Sequence, residues 1–568
     1  MRGVTDGPLL VFGPRSTTYD FGPNHPLTPR RFGPGIDLLR TLGAEPGLAP
    51  EPADDRELLE AHAERYVAAV RRLSANPSGP PEAGFAAYGD DPPFAGMHEA
   101  AAAVGGGSLR AMAAILRGEV EHAFHPGGGL HHAMPDRASG FCIYNDPALA
   151  IAAARRAGRR VLYIDLDVHH GDGVQAIHYD DPGVLTISIH ESGRTLFPGT
   201  GFADELGEGS AAGASVNLPL EAETGEGAWL AGVRGLVPQL AGYFGPDLIV
   251  SQHGADSHAW DPLAHLRVTT TAMGEAARLV DSIAHRHADG RWLATGGGGY
   301  DVYRVVPRTW ALTWLAGAHR DAPEVTDPVW RSRWARDALR HDQCPPPERF
   351  ADPPNAGLPV SDLQRLAEAR SLETLAEVRS TVLPRLLLLA EERGWWDPLA
   401  VVPPYDHLVA ADADAVPAIL PNLDPALLDR IVLAPRTLPP ADPWAARQLL
   451  VAALRNGARA SGAVSGDQLV GVVIGARAGD QGDPTDVLWI GVAPGHRRRG
   501  IGTALVAALV ASPDAGATWT RYAARLGIAD RDVVEPLPLD DRLAIAARIL
   551  ARSGFRADPR DGRFWSRD

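Results

Sequence analysis

A chain of 568 residues with 45% hydrophobic and 22% charged residues is too long for one ordinary core and too apolar for a disordered protein, so we expect two globular domains. Its formal net charge of −16 disfavours direct nucleic-acid binding, which needs positive charge against phosphates. The sequence shows neither a long apolar run nor a signal peptide, and it has only two cysteines, so it predicts a cytoplasmic protein that does not span a membrane.

Between about residues 110 and 315, short apolar runs alternate with segments rich in Ala and Leu. This alternation is typical of an α/β domain with a mainly parallel sheet. The predicted strands are 121–124, 161–168, 184–189, 247–251 and 291–295. The segments 147–157 and 227–240 are predicted helices.

A polar or glycine-rich motif follows each predicted strand. The motifs are HPGGGLHH (125–132), DLDVHHGDG (165–173), SIHES (188–192), SQHGAD (251–256) and GGGGYD (296–301). Because loops at the carboxyl ends of parallel strands converge, these motifs predict one shared site.

The pattern changes beyond Pro345. Residues 344–359 are rich in proline, residues 361–391 have a helical pattern, and an irregular stretch with several prolines extends to about residue 443. We predict a first domain over 1–390, a linker over 391–430 and a second domain over 431–568.

Three acidic and imidazole side chains in the motif after residue 164 indicate a metal site. Asp165, Asp167 and His169 are spaced two residues apart, so an extended strand would project them to one face. Carboxylates and an imidazole buried together need a cation, and this ligand set suits Zn²⁺ or Fe²⁺. Asp256, which also closes a strand, is the candidate for a further ligand.

The adjacent histidines His131 and His132 indicate general acid–base chemistry, because imidazole titrates near neutral pH. Asp165 and Asp172 are candidate carboxylates to orient them. Tyr300, directly after four glycines, is a candidate donor to a developing oxyanion.

Six motifs, found in the same order as in the family, resemble the histone-deacetylase superfamily, and in particular its bacterial acetoin-utilisation branch. They are HPGGGLHH, GFCIYND (140–146), YIDLDVHHGDG (163–173), FPGTG (197–201), HGADSHAWDPL (253–263) and GGGGY (296–300). The resemblance covers about residues 10–390 and implies an arginase-like α/β fold.

The resemblance also implies roles for individual residues. It assigns a zinc (or Fe²⁺) site to Asp167, His169 and Asp256, and the catalytic machinery to His131, His132, Asp165, Asp172 and Tyr300. It assigns a substrate channel to Asp90, Phe141, Phe197 and Leu263, and a structural K⁺ site to Asp165 and Ser188.

The segment DVLWIGVAPGHRRRGIGTALVA (486–507) reads as a strand, a glycine-rich turn and a helix, whose N–H groups favour a pyrophosphate. It resembles the acyl-CoA-binding motif of the GNAT acetyltransferases. The resemblance predicts acetyl-CoA binding at Val492, Arg497, Arg498, Gly500, Gly502 and Thr503. Leu550 stands where the family often has a catalytic tyrosine, so acetyl transfer stays open.

Together these features predict metal-dependent release of acetate from acetyl-lysine in proteins, with a fused acetyltransferase-like domain. One alternative is deacetylation of acetylated polyamines or other small cationic amides, with the second domain acting as an acetyl-CoA sensor. HGADSHAWDP and the tandem histidines disfavour a two-manganese ureohydrolase, and the complete ligand set disfavours a protein that only binds acetyl groups. The sequence leaves the oligomeric state open.

Overall fold

The computed structural model describes residues 7–395 and, in the rest of the chain, residues 418–420, 423, 432–433, 450, 454, 459–465, 468–477, 485–492, 505, 522–525, 556–557 and 564–567. Contacts between Cα atoms divide the chain into two compact units, Met1–Trp396 and Asp397–Asp568. The predicted bounds of 1–390, 391–430 and 431–568 stay predictions, because most of the 391–430 segment lies outside the described residues.

The first unit is built on an eight-stranded sheet in which all neighbouring strands are parallel. The strands are β1 (Leu9–Val11), β2 (Pro46–Leu48), β3 (His122–His125), β4 (Val161–Asp165), β5 (Val184–Glu191), β6 (Ser215–Leu220), β7 (Leu248–Gln252) and β8 (Trp292–Thr295). Every residue of β3, β4, β7 and β8 is buried, as expected for central parallel strands covered by helices. The predicted α/β class is confirmed.

The described residues of this unit also form α-helices. They are α1 (Phe32–Thr41), α2 (Asp55–Leu58), α3 (Glu64–Ala75), α4 (Met97–Leu116), α5 (Asp146–Arg156), α6 (Asp172–His178), α7 (Glu226–Phe244), α8 (Thr270–Ala288), α9 (Val306–Gly317), α10 (Pro328–Arg340) and α11 (Asp362–Glu392). Side chains that accept a backbone N–H mark where some of them begin: Asn145 caps α5, and Thr269 caps α8. The predicted helices correspond to α5, α7 and α11.

The strand predicted over 161–168 is shorter in the structure, because β4 ends at Asp165. The Oδ1 atom of Asp165 accepts the N–H of Asp167 at 3.1 Å, and Oδ1 of Asp167 accepts the N–H of His169 at 3.1 Å. In such a bond, a side chain accepts the backbone N–H of the second residue after it. Bonds of this kind turn the chain out of the hydrogen-bonded ladder of the sheet. Asp167 and His169 therefore converge through a bent segment and not along an extended strand.

The order of strands decides which loops meet. Across the sheet the order is β2-β1-β3-β8-β7-β4-β5-β6, so β3, β8, β7 and β4 are direct neighbours. The motifs with His131, Tyr300, Asp256 and Asp167 follow these four strands at their carboxyl ends. One site is therefore built from four adjacent loops.

In the second unit, the described residues are mostly strands of a mixed sheet. They are β9 (Ala418–Leu420), β10 (Val432–Leu433), β11 (Arg459–Ser465), β12 (Gln468–Arg477), β13 (Thr485–Val492), β14 (Tyr522–Arg525), β15 (Arg556–Ala557) and β16 (Phe564–Arg567). The order is β15-β16-β14-β13-β12-β11-β9, with β10 beside β12.

The predicted acetyl-CoA motif is only partly covered by the structure. Val492 is the last residue of β13. Arg497, Arg498, Gly500, Gly502 and Thr503 lie outside the described residues. Among the helices that the structure describes, none combines the length and apolar character needed to cross a bilayer.

Candidate active site

The loop that follows β3 carries His131 and His132 and is held by one buried carboxylate. Asp146, at the start of α5, accepts the backbone N–H groups of Gly129 at 2.9 Å and Leu130 at 2.8 Å. Gly129 has a φ of +96°, and a β-carbon there would lie 2.5 Å from the backbone nitrogen of Gly297. Glycine is therefore required at 129, where two glycine-rich loops touch.

Asn145, which precedes α5, fixes the backbone of the same loop. Its Nδ2 donates to the carbonyl oxygens of His131 and Ala133, both at 3.0 Å. The N–H of Asn145 donates to Nε2 of His62 at 3.0 Å, and Nδ1 of His62 donates to the carbonyl of Met134 at 3.0 Å. These partners select one neutral tautomer of His62, and burial lowers the pKa of this imidazole to about 4.

The imidazoles of His131 and His132 face each other, and each is backed by a carboxylate. Their Nε2 atoms are 3.0 Å apart. Nδ1 of His131 is 2.7 Å from Oδ2 of Asp165, and Nδ1 of His132 is 2.6 Å from Oδ1 of Asp172. Tyr163 also donates its hydroxyl to Oδ2 of Asp165, at 2.7 Å. The carboxylates keep the proton of each ring on Nδ1, so both Nε2 atoms face a shared space.

The two histidines have opposite pKa shifts. Burial acts to lower the pKa of His131, but the charges of Asp165 and Asp167 outweigh burial and raise this pKa to about 9. Burial and the neighbouring His131 lower the pKa of His132 to about 4. The two imidazoles therefore differ in their tendency to hold a proton.

Asp167, His169 and Asp256 converge beyond β4 and β7. Nδ1 of His169 lies 3.1 Å from Oδ1 of Asp167 and 3.2 Å from Oδ2 of Asp256. Oδ2 of Asp167 accepts the backbone N–H of Gly298 at 2.8 Å. Oδ1 of Asp256 accepts the backbone N–H of Val168 at 3.1 Å. One potential ligand atom of each side chain therefore lies within 4.8 Å of those of the other two.

The chemistry of these three side chains fits a divalent metal ion. All three are buried, and Oδ2 of Asp256 accepts no hydrogen bond of regular geometry from any described residue. Burial and the negative charge of Asp167 raise the pKa of Asp256 to about 6, as expected for two carboxylates placed together without a cation. Two oxygens and one nitrogen suit Zn²⁺ or Fe²⁺, and three protein ligands leave a coordination position open.

A narrow cavity opens onto these groups. Its lining comprises Leu27, Gly129, Leu130, His131, His132, Gly140, Phe141, Cys142, Asp167, His169, Gly297, Gly298 and Tyr300. Phe197 packs edge-on against His132, with ring centroids 5.0 Å apart, and Phe141 packs edge-on against Tyr300 at 6.1 Å. Phe197 is 40% exposed whereas Tyr300 is 9% exposed, so Phe197 marks the mouth and Tyr300 the interior.

Three residues that the resemblance assigned to the channel, Asp90, Phe197 and Leu263, are absent from the described lining of this cavity, although Phe197 packs against the lining residue His132. Asp90 is exposed, and its carbonyl accepts a hydrogen bond from His25 at 3.0 Å. The next residue, Asp91, is buried, and burial together with the charge of Asp90 raises the pKa of Asp91 to about 8. Leu263 is half-buried and packs against the core.

The residues predicted for K⁺, Asp165 and Ser188, are paired across β4 and β5. Both already have partners within the protein: Asp165 accepts the bonds described above, and Oγ of Ser188 lies 2.8 Å from Nδ1 of His190. The potassium site stays a prediction.

The sequence-based prediction omits the side chains that hold the reactive groups in place. Asn145 and Asp146 lie within the GFCIYND motif, so the motif contained them without indicating a role. Gln252 donates to Asp167 at 3.2 Å, and Asp261 accepts the N–H of Tyr300 at 2.8 Å. Their roles depend on contacts between distant segments, which local patterns do not reveal.

Comparisons with known proteins identify the families of the two parts of the chain. The histone deacetylase domain family matches residues 25–316, and the GNAT acetyltransferase family matches residues 429–523. The acetoin utilization protein AcuC of Bacillus subtilis (strain 168) is 43% identical over 370 residues, which cover 63% of this chain and 94% of the relative. AcuC of Staphylococcus xylosus is 37% identical over 331 residues, covering 57% and 86%.

A solved structure is also similar to this chain. It is a crystal structure of an HDAC homologue complexed with SAHA, with a TM-score of 0.55 and 28% sequence identity. The alignment covers 66% of this chain and 100% of that chain. The chain belongs to the histone deacetylase family, with AcuC proteins among its relatives, and carries a GNAT domain after the deacetylase domain.

Proposed function

We propose that this chain, a deacetylase by family, releases acetate from acetylated lysine side chains of proteins and uses Zn²⁺ to do so. One observation carries the proposal. The His131–His132 pair, backed by Asp165 and Asp172, faces an open set of three metal ligands at the end of a narrow cavity with aromatic walls.

Asp167, His169 and Asp256 would hold the ion, because one potential ligand atom of each lies within 4.8 Å of those of the other two. When it is bound there, Zn²⁺ supplies Lewis acidity toward the acetyl carbonyl and toward the attacking water. The remaining steps belong to side chains of this chain.

The histidine pair moves the protons. As the oxygen of water bonds to the acetyl carbon, the pair takes a proton from that water. As the C–N bond breaks, the pair returns a proton to the nitrogen, so acetate and a free amine leave. Tyr300 donates its hydroxyl to the carbonyl oxygen while negative charge develops there.

The shape and charge of the site favour a long cationic substrate. Phe141 and Phe197 flank the reactive groups, and an aliphatic arm ending in an acetamide fits between aromatic rings. The net charge of −16 attracts cationic partners. Acetylated polyamines share both features and are the competing substrate class.

The deciding experiment measures acetate release from an acetyl-lysine peptide and from an acetylated polyamine by the zinc-loaded protein. A Tyr300→Phe variant removes the proposed donor, and Tyr303→Phe is the matched control, because the hydroxyl of Tyr303 bonds Asp337. Preference for the peptide, lost in Tyr300→Phe and kept in Tyr303→Phe, supports the proposal. Preference for the polyamine would replace the substrate class, and no hydrolysis of either would contradict the assignment of the site.

For the second unit, the GNAT match supports acetyl-CoA binding by Val492, Arg497, Arg498, Gly500, Gly502 and Thr503. Calorimetric titration with acetyl-CoA tests this, with Arg497→Ala expected to weaken binding because the arginine neutralises phosphate charge. If acetyl-CoA binds but the deacetylation rate does not change, the idea that this unit is a sensor is wrong.

A further inference from the structure

A second group of metal-binding side chains lies at the other end of the sheet from the candidate active site. It comprises His122, Asp281, His285 and His319, which we call the His₃Asp cluster. His122 begins β3, whose opposite end leads to the loop with His131. Asp281 and His285 are four residues apart on α8, and His319 follows the end of α9. The cluster therefore joins three separate elements.

The four side chains direct three nitrogens and one oxygen at one point. The Nε2 atom of His285 is 3.0 Å from Nε2 of His122 and 3.1 Å from Nε2 of His319. Oδ1 of Asp281 lies 3.4 Å from Nε2 of His122, 3.5 Å from Nε2 of His285 and 3.4 Å from Nε2 of His319. A zinc ion with bonds of about 2.0–2.1 Å in tetrahedral geometry separates its ligand atoms by about 3.3 Å. The observed spacings match that figure.

Hydrogen bonding among the four groups does not account for this convergence. An imidazole Nε2 offers either one proton or one lone pair, so it can satisfy one partner. Each Nε2 of the cluster nevertheless lies within 3.5 Å of at least two other cluster atoms. A cation at the centre would accept all four lone pairs at once.

The surroundings also favour a cation. The cluster lies near the C-terminal ends of α8 and α9, where the helix dipoles favour positive charge. His319 is the second residue beyond α9 and has a φ of +52°, a conformation that glycine adopts more readily. Asp281 and His122 are buried whereas 38% of the His319 side chain is exposed, so an ion could enter from solvent.

We propose that the His₃Asp cluster binds a structural Zn²⁺ ion that is separate from the ion of the active site. Its four protein ligands complete a tetrahedron, which is the pattern of structural zinc sites, whereas three ligands with an open position are the pattern of catalytic ones. The ion ties the start of β3 to the C-terminal ends of α8 and α9.

The test counts zinc in the purified full-length protein by mass spectrometry after removal of loosely held metal. The wild-type chain is expected to hold two zinc ions. His285→Gln/His319→Gln removes the two more exposed ligands and should hold one while keeping its deacetylase rate. Asp256→Asn should also hold one, but lose activity.

Cobalt substitution gives an independent readout. Co²⁺ in Asp256→Asn protein should show the intense visible absorption of a four-coordinate site, and adding His285→Gln/His319→Gln should abolish that absorption. A wild-type chain with one zinc ion that Asp256→Asn removes would overturn the proposal, and so would equal zinc contents in wild type and His285→Gln/His319→Gln. Neither result depends on which acetylated substrate the enzyme uses.

Discussion

The two ends of strand β3 carry metal-ligand clusters of different design. Beyond its carboxyl end, Asp167, His169 and Asp256 offer three potential ligands beside the paired imidazoles of His131 and His132. At its start, the His₃Asp cluster offers four. Under our proposals, the same residue types serve catalysis where a coordination position stays open beside proton carriers, and serve stability where four protein ligands surround the ion.

Removing one potential ligand from each cluster should have very different effects. Asp256→Asn should lower kcat/KM for deacetylation by about 10³-fold or more, because a metal ion held there would supply several kcal/mol of transition-state stabilisation. His319→Gln should leave kcat/KM within about twofold. Steady-state acetate release measures both, and equal losses in the two variants would contradict the distinction.

The proton carriers are the second feature that separates the two sites. Asp172→Asn should lower kcat by about 10²-fold, since the amide no longer stabilises a protonated His132, while the zinc content stays unchanged. Asp181→Asn is the matched control, because Asp181 pairs with Arg155. A loss of zinc in Asp172→Asn would show that the carboxylate supports metal binding and not proton transfer.

The histidine loop has a support that responds to pH. The folded-state pKa of His62 is about 4, below the ordinary value of 6.5, so between these pH values the unfolded chain binds a proton that the folded chain does not. The contribution of His62 to stability is therefore complete above pH 6.5 and is lost as the pH falls toward 4.

Replacing His62 measures this contribution. Between pH 7 and pH 4.5, wild type should lose about 2 kcal/mol more unfolding free energy than His62→Gln does, because glutamine does not titrate. Urea unfolding at the two pH values checks the difference. Parallel losses in both proteins would show that His62 is not the titrating group.

The smallest expected effect concerns the stability that a zinc ion bound by the His₃Asp cluster would provide. His285→Gln/His319→Gln should lower the melting temperature of the zinc-loaded protein by about 2 °C, equivalent to about 1 kcal/mol in a domain of this size. A chelator should lower the melting temperature of Asp256→Asn protein, which keeps the His₃Asp cluster. The chelator should have a smaller effect on the protein that carries Asp256→Asn together with His285→Gln/His319→Gln. Scanning calorimetry measures both, and identical chelator shifts would contradict a stabilising ion.

Most residues of the candidate active site were predicted from short motifs at strand ends, and the structure brings them together. The predicted family and the α/β fold are confirmed. The five predicted strands are present with bounds shifted by a few residues, and β4 ends early where Asp165 and Asp167 turn the chain. Boundaries depend on such hydrogen bonds, which hydrophobic patterns do not encode.

Sequence patterns did not indicate the residues that hold the candidate active-site side chains in place. Asn145 and Asp146 act on a loop more than ten residues away, and Gln252 reaches Asp167 from a neighbouring strand. The local sequence pattern marks each of them only as a helix-cap or strand residue. Its role follows from a contact with a distant segment of the chain.

The residue types of the candidate active site were readable in the sequence, because His131, His132, Asp167 and His169 stand in short motifs. The His₃Asp cluster was found only in the folded chain, because its residues come from β3, α8 and the segment after α9. Parallel strands separated by helices bring distant segments together at both ends of the strands, and packing of the whole domain sets the order in which those strands pair.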